Sequence, residues 1–293
     1  MSKKFSKPEL SRQINGDIPF DAAKKDDAKN TIRFDMALLE QYPRYSRATI
    51  QKFIKDGRAK ANGEVILKAN YLLEEDYTVE LEEPEVKIAE KPPVIFEDEN
   101  VIVFDKPAGM LSIKKGDYSE EPAIEDFGEI VHRLDRDTSG VIIVAKNFET
   151  KGYLQKQFQE RKTHKTYYAI TCGIPNPPHA LINVPLARNL KKPTTFMPDK
   201  NGREAITEYR VEDYNDGLAF VELKPKTGRT HQLRIHLAHI GTPILGDPVY
   251  NPKSPKAERM YLHAAALEIT IPGGQRMTFT ANLPENFRDV LKK

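Results

Sequence analysis

Residues 141–144, Val-Ile-Ile-Val, form an unbroken apolar run that must be buried, and a heavily charged loop leads straight into it. The stretch reads "HRLDRDTSGVIIVAK" from residue 132 to residue 146. Four β-branched residues in succession favour a strand, and a strand without polar alternation belongs in the core. Asp137 to Gly140 is turn chemistry, so Asp135 sits on the loop that feeds this core strand, between Arg133 and Arg136. Neighbouring guanidinium groups keep a carboxylate ionised at neutral pH, as a nucleophile or base requires. The same spacing also suits a plain structural ion pair, so these residues alone leave Asp135 both readings.

At 293 residues the chain is long for one domain and comfortable for two. Its 39% hydrophobic content supports a real core, whereas a net charge of +2 says little until the charges are located. One cysteine, Cys172, excludes an internal disulfide and a cysteine-cluster zinc site. A secretory apolar segment and a membrane-length run are both missing from the sequence, so a soluble, cytoplasmic protein is expected. Neither a P-loop nor a dinucleotide fingerprint is present, so no nucleotide cofactor is expected.

Residues 1–30 are polar, with lysines scattered among acids, and read as a flexible basic arm. From residue 31 to residue 83 the pattern becomes structural. Ile32, Met36 and Leu39 recur at helical spacing, and a second helix starts at the N-cap Ser46, carries Ile50, Phe53 and Ile54, and stops at Gly57. A hairpin follows around Asn62-Gly63, and "DYTVELEE" alternates as a further strand. Residues 31–68 are basic, through Arg33, Arg44, Arg47, Lys52, Lys55 and Lys60 among others, and residues 69–90 are strongly acidic. Arginine forks and lysines gathered at one end suit phosphates. The stretch "IRFDMALLEQYPRYSRATIQKFIKDGRAKANGEVILKANYLL" resembles the alpha-L RNA-binding motif named after the S-four ribosomal protein, departing from it where Glu75 replaces the usual glycine. That resemblance implies a small ααβ RNA-binding domain whose contacts are the six basic residues just named.

Residues 84–93, acidic and proline-containing, read as a linker to a second domain over residues 94–293. "VIFEDENVIVFDK", "KTYYAIT", "AITEYRVEDY" and "LAFVELKP" look like strands, while "ETKGYLQKQFQERK" and "THQLRIHLAHIG" carry helical spacing, the former with Tyr153, Leu154 and Phe158 toward the core. Many strands with few helices suggest an α+β fold with a mixed, largely antiparallel sheet.

Two further stretches carry charge. Residues 146–165 form a helix with a basic face, and residues 224–246 contain no acid while supplying Lys224, Lys226, Arg229 and Arg234. Arg229 follows a Thr-Gly turn and projects at a helix N-terminus, where anions are favoured. His231, His236 and His239 lack companion cysteines or carboxylates for a zinc set, so no metal is expected. Ser139, His132 and Asp135 form a conceivable hydrolase triad, yet the glycine pattern of a nucleophile elbow is missing around that serine. Three basic blocks in one domain favour a polyanion path.

Five blocks in order, "DKPAGML", "HRLDRDTSGVIIVAK", "KTYYAITCG", "TGRTHQLRIHLAHIGTPILGDPVY" and "YLHAAALEI", resemble the RluA-type pseudouridine synthase family from about residue 94 to the end. The resemblance implies cofactor-independent isomerisation of uridine in RNA, in a cleft across the middle of the sheet. It makes Asp135 the catalytic aspartate, Tyr167 the tyrosine that stacks on the base, and Arg229 the basic partner of that aspartate. Leu233 lines the uracil pocket and Arg133 fills the gap left by the flipped nucleotide; Lys165, Thr230 and His231, from the same blocks, complete the substrate-binding set. The segment between residues 111 and 131 is shorter than the family's, lacks its histidine-proline, and Asn251 stands where glycine is usual. The expectation is a monomeric RNA pseudouridine synthase without membrane contact. Large-subunit ribosomal RNA is its expected target, with transfer RNA, or a noncatalytic RNA-binding assembly role, as alternatives.

Overall fold

The computed structural model describes residues 31–83, 90–114, 121–285 and 287–292. The arm expected over residues 1–30 and most of the expected linker lie outside the described residues. The chain divides into two compact units, residues 1–83 and 84–293.

In the first unit, strand β1 (Ile32–Arg33) precedes helices α1 (Phe34–Gln41) and α2 (Arg47–Lys55), followed by β2 (Ala59–Ala61), β3 (Glu64–Val65), β4 (Leu72–Leu73) and β5 (Val79–Leu81). Helix α2 forms as its sequence dictates. The Ser46 side chain accepts from the Thr49 amide at 3.2 Å, Ile50, Phe53 and Ile54 are buried on one face, and Gly57 turns the chain out with a φ of 76°. Asn62 and Gly63 both adopt positive φ, so a two-residue turn joins Ala61 directly to Glu64 across the hairpin. Helix α1 differs from expectation. Ile32 and Arg33 pair with Leu73 and Leu72 as strand, so the helix begins at Phe34 and its buried face is Phe34, Ala37 and Leu38, leaving Met36 exposed. Backbone pairing set the phase one turn away from the apolar residues that first suggest it.

Asp35, wholly buried at the start of α1, fixes the two helices together. It accepts from Arg33 Nε at 3.0 Å, Arg47 Nε at 3.1 Å and Gln51 Nε2 at 2.8 Å. Burial by itself would raise its pKa, but these donors and the Arg33 charge outweigh it and hold the group at about 2.

The second unit is built on one ten-stranded sheet. Its strands are β6 (Val94–Glu97), β7 (Val101–Lys106), β8 (Glu129–Ile130), β9 (Ser139–Ala145), β10 (His164–Cys172), β11 (His179–Asn183), β14 (Ile206–Asn215), β15 (Leu218–Pro225), β16 (Leu262–Thr270) and β17 (Arg276–Thr280), with β12 (Leu186–Arg188) and β13 (Phe196–Pro198) as a separate hairpin. The main path runs β11-β14-β15-β10-β16-β9-β7-β6, and every pairing is antiparallel except β9 with β16. Strand β9 is buried along its whole length. Val141 and Ile143 pack on one side with Leu154 and Leu267, and Ile142 and Val144 pack on the other with Phe104, Ile124 and Leu134. Two covered faces account for the unbroken apolar run.

Two helices cover this sheet. Helix α3 (Phe148–Gln159) is capped by Asn147, whose side chain accepts from the Thr150 amide at 2.9 Å. It buries Leu154, while Tyr153, expected in the core, is exposed. Gln157 takes that inward place because its amide serves the backbone of Thr270, accepting from the Thr270 amide at 3.1 Å. Helix α4 (Gln232–His239) buries every residue from Gln232 to Leu237, so it lies inside the unit and not on its surface.

The folded pKa of Asp35 lies below that of an unfolded aspartate, near about 4. Its contribution is therefore complete above that value and disappears as pH falls toward about 2. Hydrogen exchange of the α2 amides is expected to show stability flat above pH ~5 and declining below it. Asp35→Asn is expected to remove this acid dependence.

Candidate active site

Asp135 lies on the loop between β8 and β9, at the edge of a cavity of about 440 Å³. The walls come from that loop, the end of α3, Lys165 and Tyr167 on β10, and residues 225–234 leading into α4. Neighbours pin the loop on both sides of the aspartate. His132 Nε2 accepts from the Ile143 amide at 3.1 Å and its ring stacks on Phe158, so burial, helped by the Lys165 charge, pushes it down to about 3 and keeps it neutral. Leu134 exchanges two hydrogen bonds with the Ser112 hydroxyl, and Arg136 donates from Nε to the Gly109 carbonyl at 3.0 Å.

Beneath Arg136 sits Lys106, a fully buried lysine that the sequence marks only as part of a family block. Its ammonium donates to the carbonyls of Pro107, Met110 and Arg136 at 2.9, 2.8 and 2.9 Å. Burial, partly offset by the charges of Asp137 and Asp135, pushes it down to about 7. Three carbonyls aimed at one ammonium tie the loop after β7 to the Asp135 loop. An apolar side chain cannot replace that contact.

The ionic partner of Asp135 is Arg234. Its Nη1 donates to Asp135 Oδ2 at 3.0 Å, while Nε and Nη2 form a fork on Asp247 at 2.7 and 2.8 Å. Burial opposes the charge on Arg234, but the two aspartates outweigh it and raise its pKa. Asp247 is wholly buried and also accepts from the amides of Val249 and Tyr250, so its carboxyl is held low despite burial. The Tyr250 ring lies 5.1 Å from the Arg234 guanidinium carbon.

This arrangement corrects the expectation that Arg229 holds Asp135. Arg229 belongs to the turn before α4 and donates from Nε to the Glu204 carbonyl at 2.9 Å, at the cavity mouth. Arg234 stands one and a half turns further along, on the helix side that faces the Asp135 loop, and the two arginines cannot be told apart by spacing alone.

His231, just ahead of α4, has a left-handed backbone with φ 57°, strained for a residue with a side chain. Its Nδ1 lies 2.8 Å from the Tyr250 hydroxyl, and that oxygen already accepts from the Phe196 amide at 3.1 Å. The hydroxyl proton is therefore assigned to Nδ1, leaving N–H on Nε2, which stands 3.9 Å from Asp135. Burial lowers the pKa of His231 and favours the neutral ring.

Tyr167, two residues after Lys165 on β10, packs between the cores on either side of the cleft, and burial together with the Asp135 charge raises its hydroxyl pKa. Leu233 and Leu262 give the cavity an apolar wall, and Thr230 also lines it. Arg133 is exposed at the rim, with no hydrogen bond or ion pair among the described residues. The Ser139–His132–Asp135 triad does not form: Ser139 is buried behind the cavity wall, where it lies 2.8 Å from His263 Nδ1 and accepts from Arg259 at 2.6 Å, and His132 Nε2 is taken by the Ile143 amide. Among the described residues no group of His, Cys, Asp and Glu is placed to hold a metal ion. The site thus offers an aspartate held by a buried arginine, an aromatic surface and cations around the opening. It suits a flat base on a sugar with anionic neighbours.

Comparison with known proteins agrees with this chemistry. The RNA pseudouridylate synthase family matches residues 100–239. An uncharacterized RNA pseudouridine synthase of Aquifex aeolicus is 36% identical, over 88% of this chain and 92% of that protein. Ribosomal large subunit pseudouridine synthase D of Borreliella burgdorferi is 33% identical over 88% of each. Among solved structures, human RNA pseudouridylate synthase domain containing 4 superposes with a TM-score of 0.56 at 26% identity, covering 68% of this chain and 91% of that one. Human RNA pseudouridylate synthase domain containing 1 gives 0.58 at 25% identity, covering 70% and 87%.

Arg234→Met leaves Asp247 buried without its counter-charge, a change that costs about 3–5 kcal/mol. Urea denaturation of the full chain is expected to show a loss of that size. Adding Asp247→Leu, which removes the orphaned carboxylate, is expected to recover most of it.

Proposed function

The chain belongs to the RNA pseudouridylate synthase family, and on that premise we propose that it isomerises uridines in structured RNA, large-subunit ribosomal RNA foremost, through Asp135. The observation that carries this reading is the Asp135–Arg234–Asp247 bridge opening onto a cavity floored by Tyr167. The reaction breaks the bond between uracil N1 and the ribose, turns the base and rejoins it through carbon 5. Extruding the nucleotide costs a few kcal/mol of stacking, and contact with an aromatic surface and with phosphates offsets that cost.

Tyr167 supplies the aromatic surface, Leu233 the apolar wall, and Arg133, exposed at the rim, occupies the gap the base leaves in the RNA. Asp135 either adds to the anomeric carbon or takes a proton from the neighbouring ribose carbon. Both steps need a carboxylate in a fixed place, and the Arg234 guanidinium holds it there and supplies its counter-charge. Thr230 and His231 face the sugar side of the cavity, and Arg229 serves the RNA at the cavity mouth.

The ribosomal target rests on relatives named for the large ribosomal subunit, such as the Borreliella burgdorferi protein. The first unit supports it as an alpha-L-like RNA contact. Lys52 and Lys55 at the end of α2, and Lys60 on β2, are exposed. Arg33 and Arg47 are oriented by Asp35, and Arg44 by Glu83.

Tritium release from large-subunit ribosomal RNA labelled at uridine carbon 5, taken from cells lacking this protein, tests the enzymatic reading. Asp135→Asn is expected to lose at least ~1000-fold in rate while still binding RNA; wild-type protein that binds this RNA and releases no tritium would sink the assignment. Replacing Lys52 and Lys55 with glutamine is expected to weaken binding and reduce its salt slope by roughly 1.5. An unchanged slope removes the first unit from the RNA interface.

A further inference from the structure

Two cations of the cavity, Lys165 and Arg133, have no partner among the described residues, and of the two Arg133 is exposed at the rim whereas Lys165 is shielded from solvent. Arg234 is bound to two aspartates, Arg161 to Glu204, Lys226 to Glu208, and Arg229 to a carbonyl. Lys165 has no hydrogen bond and no ion pair among the described residues. Burial alone pushes its ammonium down to about 8, with no neighbouring charge to hold it up. An enclosed cation without a counter-charge is costly, so folds keep one only where something else supplies the anion.

The position of the ammonium indicates what that anion is. Lys165 and Tyr167 stand two apart on β10 and so point to the same side, into the cavity. The Lys165 Nζ comes so close to Gly228 that a Cβ there would lie 3.5 Å from it. Gly228 belongs to the turn that enters α4. Among the described residues, Gly228, Thr230 and His231 donate no backbone hydrogen bond, so their N–H groups remain unclaimed at the positive end of the helix dipole. The Arg229 amide is the exception, being taken by Gln232.

We propose that Lys165 and the turn from Thr227 to His231 form a seat for one phosphodiester flanking the nucleotide in the cavity. The proposal rests on reading the cavity as a site for an extruded nucleotide of RNA. A phosphodiester is the permanent anion of that ligand, and it travels with the base when the base leaves the stack. One anchored phosphate beside the Tyr167 surface fixes how far the nucleotide enters and which way its sugar faces Asp135.

The test uses the full chain and a large-subunit ribosomal RNA transcript labelled at uridine carbon 5. Lys165→Met is expected to reduce the slope of log affinity against log salt by about 0.7–0.9, the signature of one lost phosphate contact. KM is expected to rise about tenfold with kcat within about fivefold, and Lys165→Arg, which keeps the charge, is expected to preserve the slope. An unchanged slope in Lys165→Met overturns the proposal. So does a hundredfold loss of kcat at unchanged slope, which assigns the ammonium to the uracil. If Lys165→Met does not fold, wild-type protein decides alone: uridine 3′- or 5′-monophosphate must bind at least tenfold tighter than uridine, and equal affinity overturns the seat. A wild type that binds the transcript with the expected slopes yet releases no tritium fails the enzymatic reading and leaves the phosphate seat standing.

Discussion

One guanidinium holds the second unit's site together. Arg234 grips the buried Asp247 with two of its nitrogens and presents a third to Asp135, so the partly exposed aspartate inherits the rigidity of the buried one. A lysine in that place would offer a point charge and no fork. The bridge also joins two distant parts of the chain, the loop before β9 and the segment after α4. The two aspartates keep that arginine charged on α4, whose residues from Gln232 to Leu237 are all buried.

The sheet supplies the other half of the geometry. Strands β9 and β16 form its one parallel pairing among the described strands, beginning at Ser139–His263 and Gly140–Ala264, immediately after the Asp135 loop. Gly140 has φ 111°, and a Cβ there would fall 2.1 Å from the Ala264 carbonyl oxygen, so glycine alone permits this approach. Behind it, Arg259, Ser139 and His263 satisfy one another in the interior, and in front Lys106 and Arg136 stitch the loop to the turn after β7. The Asp135 loop is therefore fixed from its ends while Asp135 itself stays open to the cavity. The first unit repeats the device at smaller scale, with Asp35 buried among Arg33, Arg47 and Gln51 to set α1 against α2.

Much of the fold was legible because local rules and tertiary packing agree. The Val141–Val144 run, the Ser46 cap, the Asn62-Gly63 turn and the Gly57 exit all appear where their chemistry places them. Errors arose where a distant partner overrode periodicity. Ile32 was drawn into a strand by Leu73, and Tyr153 gave up its inward place to Gln157, which answers the backbone of Thr270. Lys106 and Lys165 carried no local signal of burial, because a lysine's environment is decided by chain segments far away in sequence.

The sequence by itself determined the chemical inventory: an aspartate on a loop entering the core, a tyrosine on a strand, and arginines and histidines around a turn and a helix. Order along the chain and local propensity suffice for that. Only the tertiary structure decided which arginine meets Asp135. Arg229 and Arg234 are both basic and five residues apart, and the choice between them depends on how α4 is rotated against the β9 loop. That rotation is fixed by Asp247 and by packing on every face of the helix, interactions between residues that sequence proximity does not connect.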